Sequence, residues 1–200
     1  LFFLKNSRNV GFAAACNQAL RYCKGDYILF LNPDVLVQPT TISPMIRYLE
    51  ENANIGIIAP KLINPNGSLQ YSCRRYPTLT THFLKFFSKR NKPVQLYLMY
   101  DADHSIVQEI EWSLGAFLLV RKQVLQQIGA FDERFFLYFE DVDLCKRARR
   151  AGWKIVYYPK SVAVHLYQQH SHRFFTTSFF HHLKSMYLYY QKYKRLDSKE

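Results

Sequence analysis

The chain has no C-x-x-C pair, no internal repeat, no low-complexity linker and no apolar run near the ~18 residues a membrane-spanning helix needs. The first absence removes the commonest zinc cages. The four cysteines (Cys16, Cys23, Cys73, Cys145) lie in apolar periodic segments, so buried free thiols in a reducing compartment are expected rather than disulfides. The lack of repeats and linkers leaves one domain. Acids are scarce too: 15 Asp+Glu against 27 Lys+Arg give a net charge of +12. Nucleic acid, an anionic membrane face and a diphosphate-bearing small molecule would all suit that surplus. No RNP, KH or helix-turn-helix pattern accompanies it, which argues against a nucleic-acid module.

What is present is apolar and aromatic. Of 200 residues 48% are hydrophobic, with 16 Phe, 15 Tyr and 2 Trp, enough for a sizeable core. Leu1–Leu4 reads as a buried strand. Val10, Ala14, Ala15, Ala19, Leu20 and Cys23 recur at helical spacing, and "DYILFL" (Asp26–Leu31) is a continuous apolar run of strand length. Strand, helix, strand is a βαβ unit, and a helix near Thr41–Glu51 followed by a strand at Ile55–Ala59 repeats the pattern. Asn66-Gly67 marks a hairpin. Residues 78–105 resist assignment. A strand pair and a short helix stopped by Gly129 follow, then a helix over Glu140–Ala151, strands near Lys154–Tyr158 and Val162–His165, and a terminal aromatic, basic helix near Phe174–Lys194. The division expected is a catalytic domain over 1–173, with 174–200 a helix that packs on it or contacts membrane.

Four stretches carry chemistry. Asn32-Pro33-Asp34 follows a strand, at the edge where open α/β sheets bind ligands, and its carboxylate suits a hard divalent cation; a plain Asn-Pro turn explains it equally. In "NVGFAAACN", Asn9 reads as an N-cap and Gly11 as a close backbone approach at a helix start, where anions are favoured. In "FFLYFEDVDLCKRARRAGW", Glu140, Asp141 and Asp143 follow a wall of aromatics. Acids there and Lys146, Arg147, Arg149 and Arg150 later complement a helix dipole, and Asp143 with Arg147 is an i,i+4 pair. Yet neighbours ~100° apart on a helix cannot all reach solvent while Phe135–Phe139 packs inward, so at least one carboxylate should face a cleft with a raised pKa. His165 ends a strand and suits a metal; His170 and His172 read as structural.

"NVGFAAACN", "DYILFLNPDV", "WSLGAFLLVRKQVLQQIGAFDERFFLYFEDVDLCKRARRAGW" and "VAVHLYQQHS" resemble, in order and spacing, the family 2 glycosyltransferases, most closely a rhamnosyltransferase-like branch. The resemblance implies an α/β GT-A fold, a mixed, mainly parallel sheet flanked by helices, with the family's first strand upstream of Leu1. It implies an inverting transferase in bacterial surface-polysaccharide synthesis, with a nucleotide-diphosphate sugar donor, rhamnose among the candidates, and a saccharide or lipid-linked acceptor. Its cofactor would be a divalent cation, Mn²⁺ or Mg²⁺, and its place the cytoplasm, with peripheral contact at the inner face of the plasma membrane. By the same resemblance Asp141 is the catalytic base and Glu140 binds acceptor or orients it. Asp34 and His165 hold the metal, with Asn32 where the family has a first Asp. Asn9, Gly11, Asn17, Asn32 and Asp34 line the donor. Trp112, Gly115, Glu140 and Asp143 face sugar and acceptor. The alternative classes are an inactive membrane-associated relative and a nucleic-acid-binding basic module.

Overall fold

The computed structural model describes residues 2–87, 91–166 and 176–197. Its centre is a sheet in the order β1-β7-β3-β8-β2, with β5 pairing β8. These strands are β1 (Tyr27–Leu31), β2 (Val35–Val37), β3 (Ile55–Ile63), β5 (Gln108–Glu109), β7 (Phe117–Arg121) and β8 (Lys154–His165); β4 (Cys73–Arg74) and β6 (Trp112–Ser113) form a separate ribbon. The sheet is parallel at its centre, where β3 meets β8, and antiparallel where β1 and β3 meet β7 and where β2 and β5 meet β8. Thus β1, β3 and β8 point the same way, and their carboxyl ends share one edge.

Period-2 alternation builds two cores. Ile57, Ala59, Leu118 and Val120 face one side, with α1 (Phe12–Leu20), α5 (Lys122–Ile128), α6 (Glu140–Arg150) and α7 (Thr177–Asp197). Ile58, Leu62, Phe117 and Leu119 face the other, against Met45 and Leu49 of α2 (Pro39–Glu51). The stretch 78–105, unassigned from sequence, holds two short helices, α3 (Leu79–Phe87) and α4 (Lys92–Tyr97). Among the described residues no helix is long and apolar enough to cross a membrane.

Three expectations need correction. Phe2–Leu4 form no strand; Phe2 is exposed and its ring meets Tyr22 at 4.5 Å, because no neighbouring strand offers this stretch a ladder. The two strands expected over Lys154–His165 are one, interrupted by an irregularity between Tyr158 and Val162 that accommodates Pro159. Cys73 and Cys145 are buried free thiols whose pKa burial pushes up to about 12, but Cys23 is exposed, since α1 stops at Leu20 and leaves it off the apolar face. The boundary at 173/174, and His170 and His172, lie outside the described residues.

The helix α7 docks through a charged junction. The Asp143 carboxylate, fully buried, accepts hydrogen bonds from Arg147 Nε (2.8 Å), Lys192 Nζ (2.5 Å) and Tyr193 OH (2.8 Å). Lys192 also reaches Asp132 at 2.9 Å, and Asp132 holds Arg134 at 2.6 Å. The Lys146 ammonium stands 3.9 Å from the Tyr193 ring centroid, a cation–π contact across the same helix pair.

Asp143→Asn should therefore strand the cations of Arg147 and Lys192, lowering stability by about 3 kcal/mol, or about 6–12 °C in thermal unfolding. Arg134 and Lys192 hold the Asp132 carboxyl below its ordinary value against the opposing effect of burial. A depressed folded pKa contributes stability above the unfolded value of about 3.9, lost as pH falls through the carboxylate range. Acid titration followed by Tyr fluorescence should then show a stability loss that Asp132→Asn reduces.

Candidate functional site

At the carboxyl edge, the end of the β1–β7 ladder brings the chemistry-bearing segments together. Leu31 pairs with Phe117, and Asn32 N–H donates to Ala116 O at 2.9 Å. One residue earlier, Gly115 N–H donates to Asp141 Oδ2 at 2.8 Å. The turn carrying Asp34 and the helix carrying Asp141 therefore meet through three residues of one strand entry.

The other Asp141 oxygen, Oδ1, accepts from Val142 N–H at 2.8 Å. Asp141 and Glu140 are 8% and 6% exposed, so the reading of acids held inward is right for both. Burial pushes the Glu140 carboxyl well above the usual carboxylate range, and the neighbouring Asp141 adds to this. Burial also raises Asp141, while the N–H groups of Gly115 and Val142 and the Arg74 cation pull it back. Glu140 Oε2 is buried with no hydrogen-bond partner. Like charges this close resist double ionisation, and the donors on Asp141 favour it over Glu140 as the charged member of the pair.

The chain enters this helix by an unusual turn. Tyr138 and Phe139 both have positive φ, 68° and 70°. Left-handed backbone at bulky residues costs ~1–3 kcal/mol each and persists only when surroundings enforce it. The turn sends the Phe139 ring into the core while Glu140 and Asp141 start the helix.

The second cluster is Asp34 with His165. Val35 pairs with His165, and Leu166 N–H donates to Asp34 O at 2.8 Å, so the β2–β8 ladder brings the two side chains together. His165 Nε2 lies 3.4 Å from Asp34 Oδ1, an ion-pair distance, and that buried oxygen has no formed hydrogen bond. Gln70 fixes the imidazole. Its Nε2 donates to Asn64 Oδ1 (2.7 Å) and His165 O (2.8 Å), so its Oε1 accepts from His165 Nδ1–H at 2.9 Å. Nε2 faces Asp34. Burial lowers the His165 pKa and Asp34 partly offsets that, which favours the neutral ring.

Other expected site residues are used differently. Asn17 was expected on the donor; its amide instead clamps the 131–133 loop, donating to Phe131 O and Glu133 Oε1 (both 2.9 Å) and accepting from Phe131 N–H (3.0 Å). Asn9 does not cap α1; its Oδ1 accepts the Gly11 N–H at 3.0 Å, and Gly11 itself is the cap. Gly11 has φ 86°, and a Cβ there would sit 2.5 Å from Phe136 O, so its bareness serves contact with the acid-bearing loop. Trp112, expected to face sugar, is 4% exposed in the core and donates Nε1–H to Arg75 O at 2.8 Å, because β6 pairs with β4 beneath Arg74. Gly115, expected there too, lies under Asp141, where a Cβ would approach the Asp141 Cβ to 3.3 Å. Asp143 points at α7 rather than into the cleft. Asn32 contributes its backbone to the ladder end. Sequence reasoning missed Gln70 and Arg74; the first sits in an ordinary hairpin, and the second's only signal is the Arg74-Arg75 pair.

Comparison with known proteins places this architecture. The model of a family described as "Glycosyltransferase like family 2" matches residues 2–187. Rhamnosyltransferase WbbL of Escherichia coli is 32% identical over 94% of this chain and 73% of its own length. An N-acetylglucosaminyl-diphospho-decaprenol L-rhamnosyltransferase of Mycobacterium tuberculosis is 30% identical over 81% of this chain and 57% of its own. Among solved structures, GalNAc-T7 with UDP, GalNAc and Mn²⁺ superposes with a TM-score of 0.60 at 15% identity, covering 84% of this chain and 32% of that one. A Pyrobaculum calidifontis mannosyltransferase with GDP-Man and Mn²⁺ gives 0.54 at 16%, covering 84% and 39%. The chain thus spans between 32% and 73% of the lengths of these four proteins. With the family match running along nearly the whole chain and the sheet and helices arranged as described, this chain belongs to glycosyltransferase family 2 and has the GT-A fold.

Proposed function

We propose that this chain is the catalytic core of an inverting glycosyltransferase acting in bacterial surface-polysaccharide synthesis. It moves a sugar, rhamnose being the one its named relatives favour, from a nucleotide-diphosphate donor to a saccharide or lipid-linked acceptor. The observation that carries this reading is the Asp141 carboxylate, buried, oriented by two backbone N–H groups and adjacent to a second buried carboxyl, Glu140.

Asp141 is the general base. Burial makes it a stronger proton acceptor, and the Gly115 and Val142 donors favour its charged form. Each oxygen retains lone pairs beyond the one bonded to backbone, so an acceptor hydroxyl can be aligned there. As its proton passes to Asp141, the hydroxyl oxygen bonds to the anomeric carbon. The bond from that carbon to the diphosphate oxygen breaks from the opposite face, and its electron pair leaves with the nucleoside diphosphate. The carbon passes through oxocarbenium character. Protonated Glu140 can donate a hydrogen bond without adding charge.

A divalent cation, Mn²⁺ or Mg²⁺, would neutralise the diphosphate leaving group when bound. Asp34 and His165 fit one: a carboxylate oxygen and an imidazole nitrogen, both donor types for such cations, lie 3.4 Å apart. The N,O pair is compatible with Mn²⁺, which both solved neighbours hold. The basic surplus serves the diphosphate and the phosphates of a membrane surface at the cytoplasmic face, without reading nucleic-acid sequence.

In the intact protein, Asp141→Asn should lower sugar transfer ~10²-fold or more with donor affinity unchanged, and Glu140→Gln should cost less, since it replaces an already neutral group. Near-normal transfer by Asp141→Asn defeats the assignment. Separately, Gln70→Leu should weaken Mn²⁺ binding ~10–100-fold in a titration without donor, because His165 loses the partner that orients it. Unchanged affinity there, together with unchanged affinity in Asp34→Asn, removes the metal from this cluster.

A further inference from the structure

The left-handed pair Tyr138–Phe139 needs an external grip, and its largest share among the described contacts comes from one element. Ser185 Oγ, buried in α7, donates to Leu137 O at 2.8 Å, the carbonyl just before that pair. His181 stacks on Phe136 at 4.2 Å and 21°. His182 meets Tyr138 at 5.1 Å and Phe139 at 5.5 Å, and Tyr189 meets Phe139 at 5.2 Å. Two turns further on, Lys192 and Tyr193 hold Asp143. One helix therefore grips the chain on both sides of Glu140 and Asp141 without lending a group to the cleft. On the other flank α3 adds His82, whose ring meets Phe139 at 5.2 Å, and α1 adds one bond, Phe12 N–H to Phe136 O at 3.0 Å.

We propose that α7 is the positioning element of the catalytic base, and that Ser185, through the Leu137 carbonyl, holds the left-handed turn that delivers the Asp141 carboxylate to the Gly115 amide. This rests on the reading of Asp141 as base, but its mechanics can be read without chemistry. The Gly115 amide is bonded to Asp141 Oδ2, so its hydrogen exchange reports whether that carboxylate is in place. When the turn relaxes, the Gly115 amide loses its acceptor.

The experiment is amide hydrogen exchange on the intact protein, with transfer kinetics alongside. Ser185→Ala should speed exchange at Gly115 ~10-fold and leave Leu119, in the middle of β7, unchanged. It should lower kcat by a similar factor with the donor KM unchanged. Tyr138→Asn added to Ser185→Ala should return Gly115 exchange toward the parent value, because Asn adopts left-handed backbone more readily than Tyr. A purely structural role for Ser185 would not be repaired by that second substitution. The proposal is overturned if Gly115 exchange is unchanged in Ser185→Ala, if Leu119 accelerates equally, or if Tyr138→Asn restores nothing. A normal transfer rate in Asp141→Asn would instead remove the base assignment, while the exchange result would still decide whether α7 holds the turn.

Discussion

Three carboxylates enter the interior within four residues at the start of one helix, and the fold is arranged around meeting each of them. A buried acid must be neutralised, hydrogen-bonded or protonated. Asp143 is neutralised by Arg147 and Lys192. Asp141 is hydrogen-bonded by the backbone of Gly115 and Val142. Glu140 has an oxygen with no hydrogen-bond partner among the described residues, and burial favours its neutral form. These different solutions give the three acids different surroundings. One is tied to cations, one is held by backbone N–H groups, and one is left without a donor on one oxygen. The helix N-terminus beneath them favours negative charge generally, but the side-specific partners decide the roles.

Those partners come from distant parts of the chain. Gly115 stands at the mouth of β7, and the same strand entry receives Asn32 from β1. The sheet therefore sets the spacing between the turn that carries Asp34 and the helix that carries Asp141. The β2–β8 ladder does the equivalent for His165. These residues are thus placed by backbone ladders, whose geometry varies little, and only their last adjustment depends on side chains.

How much of this was legible in the sequence follows from the range of the forces involved. Local signals carried far: the apolar run of β1, the Gly129 and Gly152 stops, and the period of α6 placed those elements within a residue or two. The inward turn of Glu140 and Asp141 followed from angular spacing against an aromatic wall. The meeting of Asp34 with His165 came from family resemblance, since nothing in 130 residues of intervening chain announces which strands pair. Elsewhere a long-range partner takes the residue. Asn17, matched by resemblance to the segment lining the nucleotide-diphosphate, has both ends of its amide held by the 131–133 loop. Trp112 looks displayed, but its N–H finds a carbonyl inside the core. Asp143 had a local explanation in Arg147, and the larger one, Lys192 and Tyr193, lies a helix away. The left-handed Tyr138–Phe139 turn had no signal, because aromatic residues do not prefer that backbone.

The separation between Asp143 and its partners, 49 residues to Lys192 and 50 to Tyr193, also bears on how the molecule is made. During synthesis the strands through β8 clear the ribosome before α7 does. Until α7 emerges, a nascent chain holds Asp143 with Arg147 as its neighbour and the 137–139 turn without its clasp. The edge that carries the acids is thereby completed only after the strands it rests on have emerged.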